Sequence, residues 1–350
     1  MKTFQIFNLG CRVNAAESNL FAQKFINKNY QPSTTNPDLI FINTCSITKK
    51  ANTESIGLIR RLQKKYPQAK IIISGCASLK NLQNKKNLKI LTNPQKEILL
   101  QKLHSSYTPQ IVDKFSHTHR FLLKIQAGCT HFCSYCTVPY TRRYLWSLSI
   151  KTALNTVKKA INDGYQEVII TGVNLDQYTP GLSNLLEKIL TETDVKLISF
   201  GSIPVNCVDQ KFITLLQKYP SRISNFLHIP IQSGSDKILK LMHRPYTRKI
   251  ILDKFNLLKK FNLSFGTDII VGFPTETETD FLETFNLCQQ IPFQKIHVFR
   301  YSPRPNTAAQ KLFTRSPKIS KDILKTRSQK IRSLTSQTTL PSHQTPQNYN

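Results

Sequence analysis

The chain has 350 residues, with 49 Lys and Arg against 20 Asp and Glu, a formal charge of +29. A hydrophobic fraction of 39% and an aromatic fraction of 9% exclude a mostly disordered chain. No apolar run reaches about 18 residues, which excludes a membrane-spanning helix. The N-terminus, MKTFQIFNLGCRVN, lacks the apolar core and cleavage site of a secretory signal. The expectation is a soluble, cytoplasmic protein of about two domains with no membrane partner. So large a positive excess attracts polyanions, either nucleic acid or an anionic membrane surface, with a solubility feature or a lysine-rich genome bias as the plain alternative.

In chain order, β-rich apolar runs at residues 3–9, 38–43, 70–74 and 88–91 predict strands. Helical patterns at 15–27, 50–65 and 93–103 separate them. This alternation implies an α/β fold with a parallel sheet, and a flavodoxin-like domain over residues 1–113 fits it. A second series predicts strands at 121–126, 167–172, 197–202, 226–231, 267–271 and 296–301. Helices are expected at 148–161, 183–191, 209–218, 248–261 and 278–289. Six such units are too few for an eight-fold barrel, which takes about 250 residues. The economical reading is a partial (β/α)6 barrel over 114–333, although an open doubly wound sheet fits the same pattern. Residues 311–332 are basic, with Asp322 their only acid, and predict a helix with a solvated or nucleic-acid-facing surface. Residues 334–350 have the Ser, Thr, Gln, Pro and Asn composition of a disordered tail.

Eight cysteines are present: Cys11, Cys45, Cys76, Cys129, Cys133, Cys136, Cys207 and Cys288. A long chain without a secretory signal keeps its thiols reduced, so metal binding or catalysis is expected rather than disulfides. Cys129, Cys133 and Cys136 share one loop, GCTHFCSYC, directly after a predicted strand. Structural zinc wants four ligands, commonly as two separated pairs. Three clustered thiolates suit a [4Fe–4S] cluster with one iron open to a substrate or cofactor. His131 lies inside the loop and reads as a loop residue rather than a fourth ligand.

The first three cysteines share a topological position instead of a local motif. Each closes an apolar strand, in FQIFNLGC, LIFINTC and KIIISGC. In open parallel sheets ligands gather beyond the carboxyl ends of the strands, so three successive units deliver Cys11, Cys45 and Cys76 to one edge. Ordinary burial is the alternative for any one of them. Cys207 and Cys288 fit neither pattern and read as packing residues.

CTHFCSYC resembles the radical S-adenosylmethionine (SAM) signature Cys-x3-Cys-x-aromatic-Cys, with Tyr135 as the aromatic. LGCRVNAAES, NTCSITKKANTES and SGCAS resemble the N-terminal cysteine blocks of methylthiotransferases. TGVNL, HIPIQSGSDKILKLMHRPYT, DIIVGFPTETETDF and HVFRYSPRPNTAA are similar to later blocks of the same family. Cys-Arg-Val-Asn, TGVN and YSPRPNTAA are most like the branch that acts on N6-threonylcarbamoyladenosine 37 of tRNA. Another branch, acting on isopentenyladenosine, tends to carry Cys-Gln-Met-Asn and GQNVN. A third modifies an aspartate of a ribosomal protein.

The resemblance implies two [4Fe–4S] clusters. Cys129, Cys133 and Cys136 would hold the one that binds SAM, and Cys11, Cys45 and Cys76 an auxiliary one that carries the sulfur. It implies reductive cleavage of SAM, hydrogen abstraction at adenine C2 and transfer of a methylthio group there. An external electron donor, a sulfur source and tRNA are the implied partners. An aromatic C–H offers no acidic proton and no leaving group, so the cofactors must supply the chemistry while the protein positions and shields. Around SAM the candidates are Tyr135, Thr171, Gly172, Gln232, Ser233 and Asp268, the last facing the barrel lumen or paired with a lysine. Arg142 and Arg143 are candidates to grip substrate phosphate, or a solvated surface pair. Phe299 and Tyr301 stack near adenine or pack in the core.

Two departures from the family pattern stand out. The chain does not reach the RNA-binding β-barrel that usually follows, so charge on the radical domain and on residues 311–332 is expected to hold tRNA. GSIPVN at 201–206 lacks the acid usual after Ser-Ile. The rival from another class is a non-catalytic Fe–S protein that binds RNA.

Overall fold

The computed structural model describes residues 1–46, 48–77, 79, 87–104 and 120–335. The expected break at 113 and the expected tail from 336 onward lie outside the described residues.

The first part is β1 (Lys2–Asn8), α1 (Arg12–Ile26), β2 (Tyr30–Pro32), β3 (Leu39–Thr44), α2 (Lys49–Lys65), β4 (Lys70–Gly75), β5 (Leu88–Ile90) and α3 (Asn93–His104). Its five strands are parallel, in the order β2-β1-β3-β4-β5, which is the flavodoxin-like order. Sequence patterning misses β2, a three-residue strand ending in Pro32. Proline cannot donate to a ladder and is tolerated at a sheet edge, where β2 lies. β3 reads LIFINT and is buried throughout, as a central parallel strand covered on both faces must be. α1 is buried on more than one face, because it packs on its own sheet and also on two strands of the next.

The second part runs β6 (Arg120–Ala127), α4 (Val138–Thr141), β7 (Trp146–Ser147), α5 (Ile150–Asn162), β8 (Glu167–Gly172), α6 (Leu182–Glu192) and β9 (Leu197–Phe200). It continues with α7 (Gln210–Lys218), β10 (Phe226–His228), α8 (Asp236–Leu241), α9 (Arg248–Leu258), β11 (Ser264–Val271), α10 (Glu278–Gln290) and β12 (Phe293–Arg300). The strands form two ladders, β7-β6-β8-β9 and β10-β11-β12, in which only the short β7 runs antiparallel. The ladders meet at a seam where the Ile198 N–H donates to Arg222 O and the Ser224 N–H to Ile198 O, each at 2.8 Å. Six parallel strands thus curve into the expected partial barrel. Side chains of Ser149, Asp209, Thr247 and Thr277 each accept from a backbone N–H in the first turn of α5, α7, α9 and α10.

The basic segment corrects the expectation of one solvated helix. It forms α11 (Ala308–Arg315) and α12 (Lys321–Ser333), with Pro317 in the break between them. Proline lacks the N–H a continuing helix needs and disfavours helical backbone at the preceding residue. Only the outer face of α12 is solvated. On its inner face Ile331 is buried, and Arg327 donates to Glu276 at 2.6 Å and to Glu278 at 2.9 Å. One apolar cluster runs through both parts, joining Phe4, Phe21 and Phe41 to Phe121, Leu123 and Ile331.

Candidate active site

β1, β3 and β4 lie side by side in register, with Asn8 opposite Asn43 and Thr44 opposite Gly75. Cys11, Cys45 and Cys76 therefore leave the sheet at one edge, beside the β1/β3 switch point where such sheets bind ligands. The loops there approach closely. Gly10 has φ +125°, and a Cβ on it would lie 3.2 Å from Cys45 Sγ. Gly75 has φ +108°, and its Cβ would sit 2.3 Å from Thr44 O. The side-chain amide of Asn14 donates to Leu9 O at 2.9 Å and Thr44 O at 3.0 Å, tying the first two loops together. Ser55 Oγ donates to Cys45 O at 3.1 Å and accepts from its N–H.

The second cysteine loop follows β6. Gly128 (φ +79°) lets the chain pass Tyr144, where a Cβ would meet the carbonyl oxygen at 2.5 Å. Each thiol has a nitrogen donor: Asn174 Nδ2 at 3.6 Å from Cys129 Sγ, Arg244 Nη1 at 3.3 Å from Cys133 and Val138 N at 3.4 Å from Cys136. Burial pushes the Cys136 thiol up to about 12, so a bound metal is what would hold it as thiolate. Among the described residues no three His, Cys, Asp or Glu side chains stand together as a metal-holding group. The fit to an Fe–S cluster rests on the donor chemistry: three sulfurs, each with an N–H aimed at it. His131 is held by Asn174 at 3.4 Å and Asp176 at 3.5 Å, as a loop residue. Cys207 and Cys288 are buried, as their packing role requires.

The other candidates fall into different settings. Tyr135 packs against the cluster of Ile238, Met242 and Phe273. Thr171 is buried, and Gly172 is fixed by crowding, since its Cβ would meet Leu175 at 2.8 Å and Gln126 at 3.0 Å. Gln232, half-buried at φ 70°, bridges to β11 through the Asp268 carbonyl and the Ile270 N–H. Ser233 turns away from the strand ends, with its hydroxyl 3.1 Å from Thr284 Oγ1 on α10. Among the described residues Asp268 pairs with no lysine. Its carboxylate lies 3.2 Å from His228 Nε2 and 3.7 Å from His297 Nδ1, one residue from each barrel strand β10, β11 and β12. Burial pushes His297 down, outweighing the carboxylate of Asp268. Tyr301 packs on Phe273 and Phe313, with ring centroids 5.4 and 5.5 Å apart, in keeping with core packing.

Arg142 requires a correction. It is 4% exposed and offers nothing to a phosphate in solvent. Its guanidinium donates to Glu17 at 2.6 Å, Asn14 at 2.7 Å and Cys76 Sγ at 3.3 Å. Lys96 and Lys124 also reach Glu17, at 2.6 and 2.7 Å, and Lys124 reaches Glu97 at 2.7 Å. Burial alone would raise the Glu17 pKa, but the three cations hold it well below the usual carboxylate range. Arg143 is the exposed member of the pair, in a recess with Cys129, Thr130, Phe132, Pro139 and Tyr140. Arg304 was not singled out by its sequence context, yet it lies within electrostatic reach of Cys45, and its buried Nη2 has no hydrogen-bond partner among the described residues.

Residues 123–288 match the Radical SAM superfamily, and residues 3–96 match Uncharacterized protein family UPF0004. The chain is 32% identical to the threonylcarbamoyladenosine tRNA methylthiotransferase MtaB of Aquifex aeolicus, over 91% of this chain and 84% of that one. It is 30% identical to the tRNA-2-methylthio-N(6)-dimethylallyladenosine synthase of Bdellovibrio bacteriovorus, over 89% of this chain and 76% of that one. The chain belongs to the radical SAM methylthiotransferase family. Like other members it is a transferase, and radical SAM enzymes work with SAM and a [4Fe–4S] cluster. The radical SAM methyltransferase TsrM of Kitasatospora setae shares its fold, with TM-score 0.65 at 10% identity, over 89% of this chain and 75% of that one. Among the described residues of this methylthiotransferase, no helix is long and apolar enough to cross a membrane.

Proposed function

We propose that the chain adds a methylthio group to C2 of N6-threonylcarbamoyladenosine 37 in tRNA. The observation that carries this substrate is the likeness to threonylcarbamoyladenosine tRNA methylthiotransferases, at 32% identity across 91% of the chain. The Cys-Arg-Val-Asn and YSPRPNTAA blocks agree with it. The competing substrate is dimethylallyladenosine, because an enzyme of that name is 30% identical.

In this reading Cys129, Cys133 and Cys136 hold the cluster that binds SAM, and Cys11, Cys45 and Cys76 hold an auxiliary cluster. When bound, these groups supply radical chemistry and the sulfur. The protein's part is to aim two cysteine edges at one space and to shield it. Gln232 and Asp268, at or near the ends of the barrel strands, are the polar groups placed to meet SAM or the adenine. Arg143, beside the cluster loop, is placed to meet a phosphate. Residues 1–113 and 114–333 act as the sulfur-carrying and radical domains. The protein works in the cytoplasm with an external electron donor and a sulfur source.

The test is mass spectrometry of tRNA nucleosides from a strain lacking the gene and from the same strain complemented. Loss of 2-methylthio-N6-threonylcarbamoyladenosine, with its return on complementation, is the expected outcome. Loss of the methylthio form of dimethylallyladenosine instead would transfer the assignment to the competing substrate.

A further inference from the structure

Arg142 follows α4, in the part of the chain that carries the radical SAM motif, yet its side chain ends at Cys76 of the first sheet. Its three nitrogens reach three partners: Nη1 and Nη2 donate to Glu17, Nη2 also to Asn14, and Nε to Cys76 Sγ. The surrounding charges do not cancel. Among the described residues, Lys96, Lys124 and Arg142 share two carboxylates, Glu17 and Glu97, all 4% exposed or less, one cation more than anions. Burying an unpaired charge is costly. The atom that Nε faces is the Cys76 sulfur, at 3.3 Å. A lysine at this position could not serve all three partners, because only the guanidinium directs N–H groups along several fixed directions.

We propose that Arg142 is a positioning residue for the auxiliary cluster, its Nε–H holding the Cys76 thiolate and raising the cluster's reduction potential. This rests on the reading that Cys11, Cys45 and Cys76 hold a cluster. A hydrogen bond and a positive charge at a ligand sulfur both favour the added electron, and these are the levers that set Fe–S potentials. The other cysteine set has its own guanidinium, with Arg244 Nη1 3.3 Å from Cys133 Sγ. Each cluster therefore has a dedicated arginine, and the poise of the auxiliary one is set by a residue from the radical half.

The test uses the full chain with Cys129, Cys133 and Cys136 replaced by Ala, so that only the auxiliary cluster remains. After anaerobic reconstitution it is titrated with dithionite and mediators, with the reduced cluster followed by electron paramagnetic resonance. Arg142→Lys keeps a cation beside Glu17 and removes the Nε–H. The variant is expected to keep about four irons. At a fixed potential its ratio of reduced to oxidised cluster should fall about tenfold, equivalent to about 59 mV for one electron. Superimposable titrations would overturn the inference. If the variant does not fold, the parent labelled with nitrogen-15 arginine decides. A nitrogen hyperfine coupling at the reduced cluster that persists in Arg304→Lys supports the inference, and its absence overturns it. A parent that holds no iron with Arg142 intact would refute the auxiliary cluster itself, and the inference with it.

Discussion

Glu17 and Lys124 meet at 2.7 Å with neither side chain exposed, although 107 positions separate them in the chain. Removing one partner of such a pair leaves the other charged and dry, which costs about 3–5 kcal/mol. Glu17→Gln, which leaves Lys96, Lys124 and Arg142 facing Glu97 alone, should lower unfolding stability by about that much, read from denaturant midpoints.

The same carboxylate predicts a pH dependence. Glu17 is held well below the usual range by Arg142, Lys124 and Lys96 against the opposing effect of burial. A carboxylate depressed in the folded state contributes stability that is fully present above its unfolded pKa of about 4.3. That contribution is lost as the pH falls through the folded value. Stability should therefore decline on acidification below about pH 4.3, and the decline should be shallower in Glu17→Gln. An equal slope in both proteins would mean that another group governs acid unfolding.

Iron counting tests the two cysteine edges separately. Two four-iron clusters predict about eight irons per chain after anaerobic reconstitution. Replacing either set of three cysteines by Ala should leave about four. Release of 5′-deoxyadenosine from SAM under strong reductant should be abolished by loss of Cys129, Cys133 and Cys136, and survive loss of the other set.

Gly234 packs so tightly on α10 that a Cβ would lie 2.8 Å from Thr284 Cα and 2.9 Å from Glu283 O. Gly234→Ala must push the helix away, and overpacking of this kind costs about 1–3 kcal/mol. Thermal unfolding should show that loss. Because this strand end is a candidate SAM contact, SAM binding should weaken as well.

On α12 the two faces should respond differently. Arg327→Ala strands Glu276 and should cost about 3–5 kcal/mol in stability. Lys321→Ala and Lys325→Ala, both on exposed positions, should change stability by less than about 0.5 kcal/mol. If this face meets tRNA, each should lower the slope of log affinity against log salt by roughly 0.7–0.9. Ending the chain after α11 should unfold the barrel rather than selectively weaken tRNA binding, since Ile331 and Arg327 belong to its interior.

The architecture could be read in the sequence because it rests on local periodicity. Alternating strands and helices gave the parallel sheets, and cysteines placed after three apolar strands converged because parallel strands share one carboxyl edge. Arg142 resisted such reading. Beside Arg143 it looks like a surface pair, and only the fold brings Glu17, Asn14 and Cys76 around it. Arg327 is similar: in a run of basic residues nothing local distinguishes the one that faces inward. The His228–Asp268–His297 group was half visible, since Asp268 suggested a lumen-facing residue but its imidazole partners come from neighbouring strands. β2 was missed because three residues ending in proline carry almost no periodic signal.

Phe41 of the first sheet and Phe121 of the second belong to one apolar cluster. That continuity makes the two sheets a single cooperative unit. Neither can open without wetting the hydrophobic face of the other, so calorimetry should record one transition where a count of sheets suggests two. Damage far from either cysteine edge is then felt at both, and the iron content of a destabilised variant should report the integrity of the whole chain.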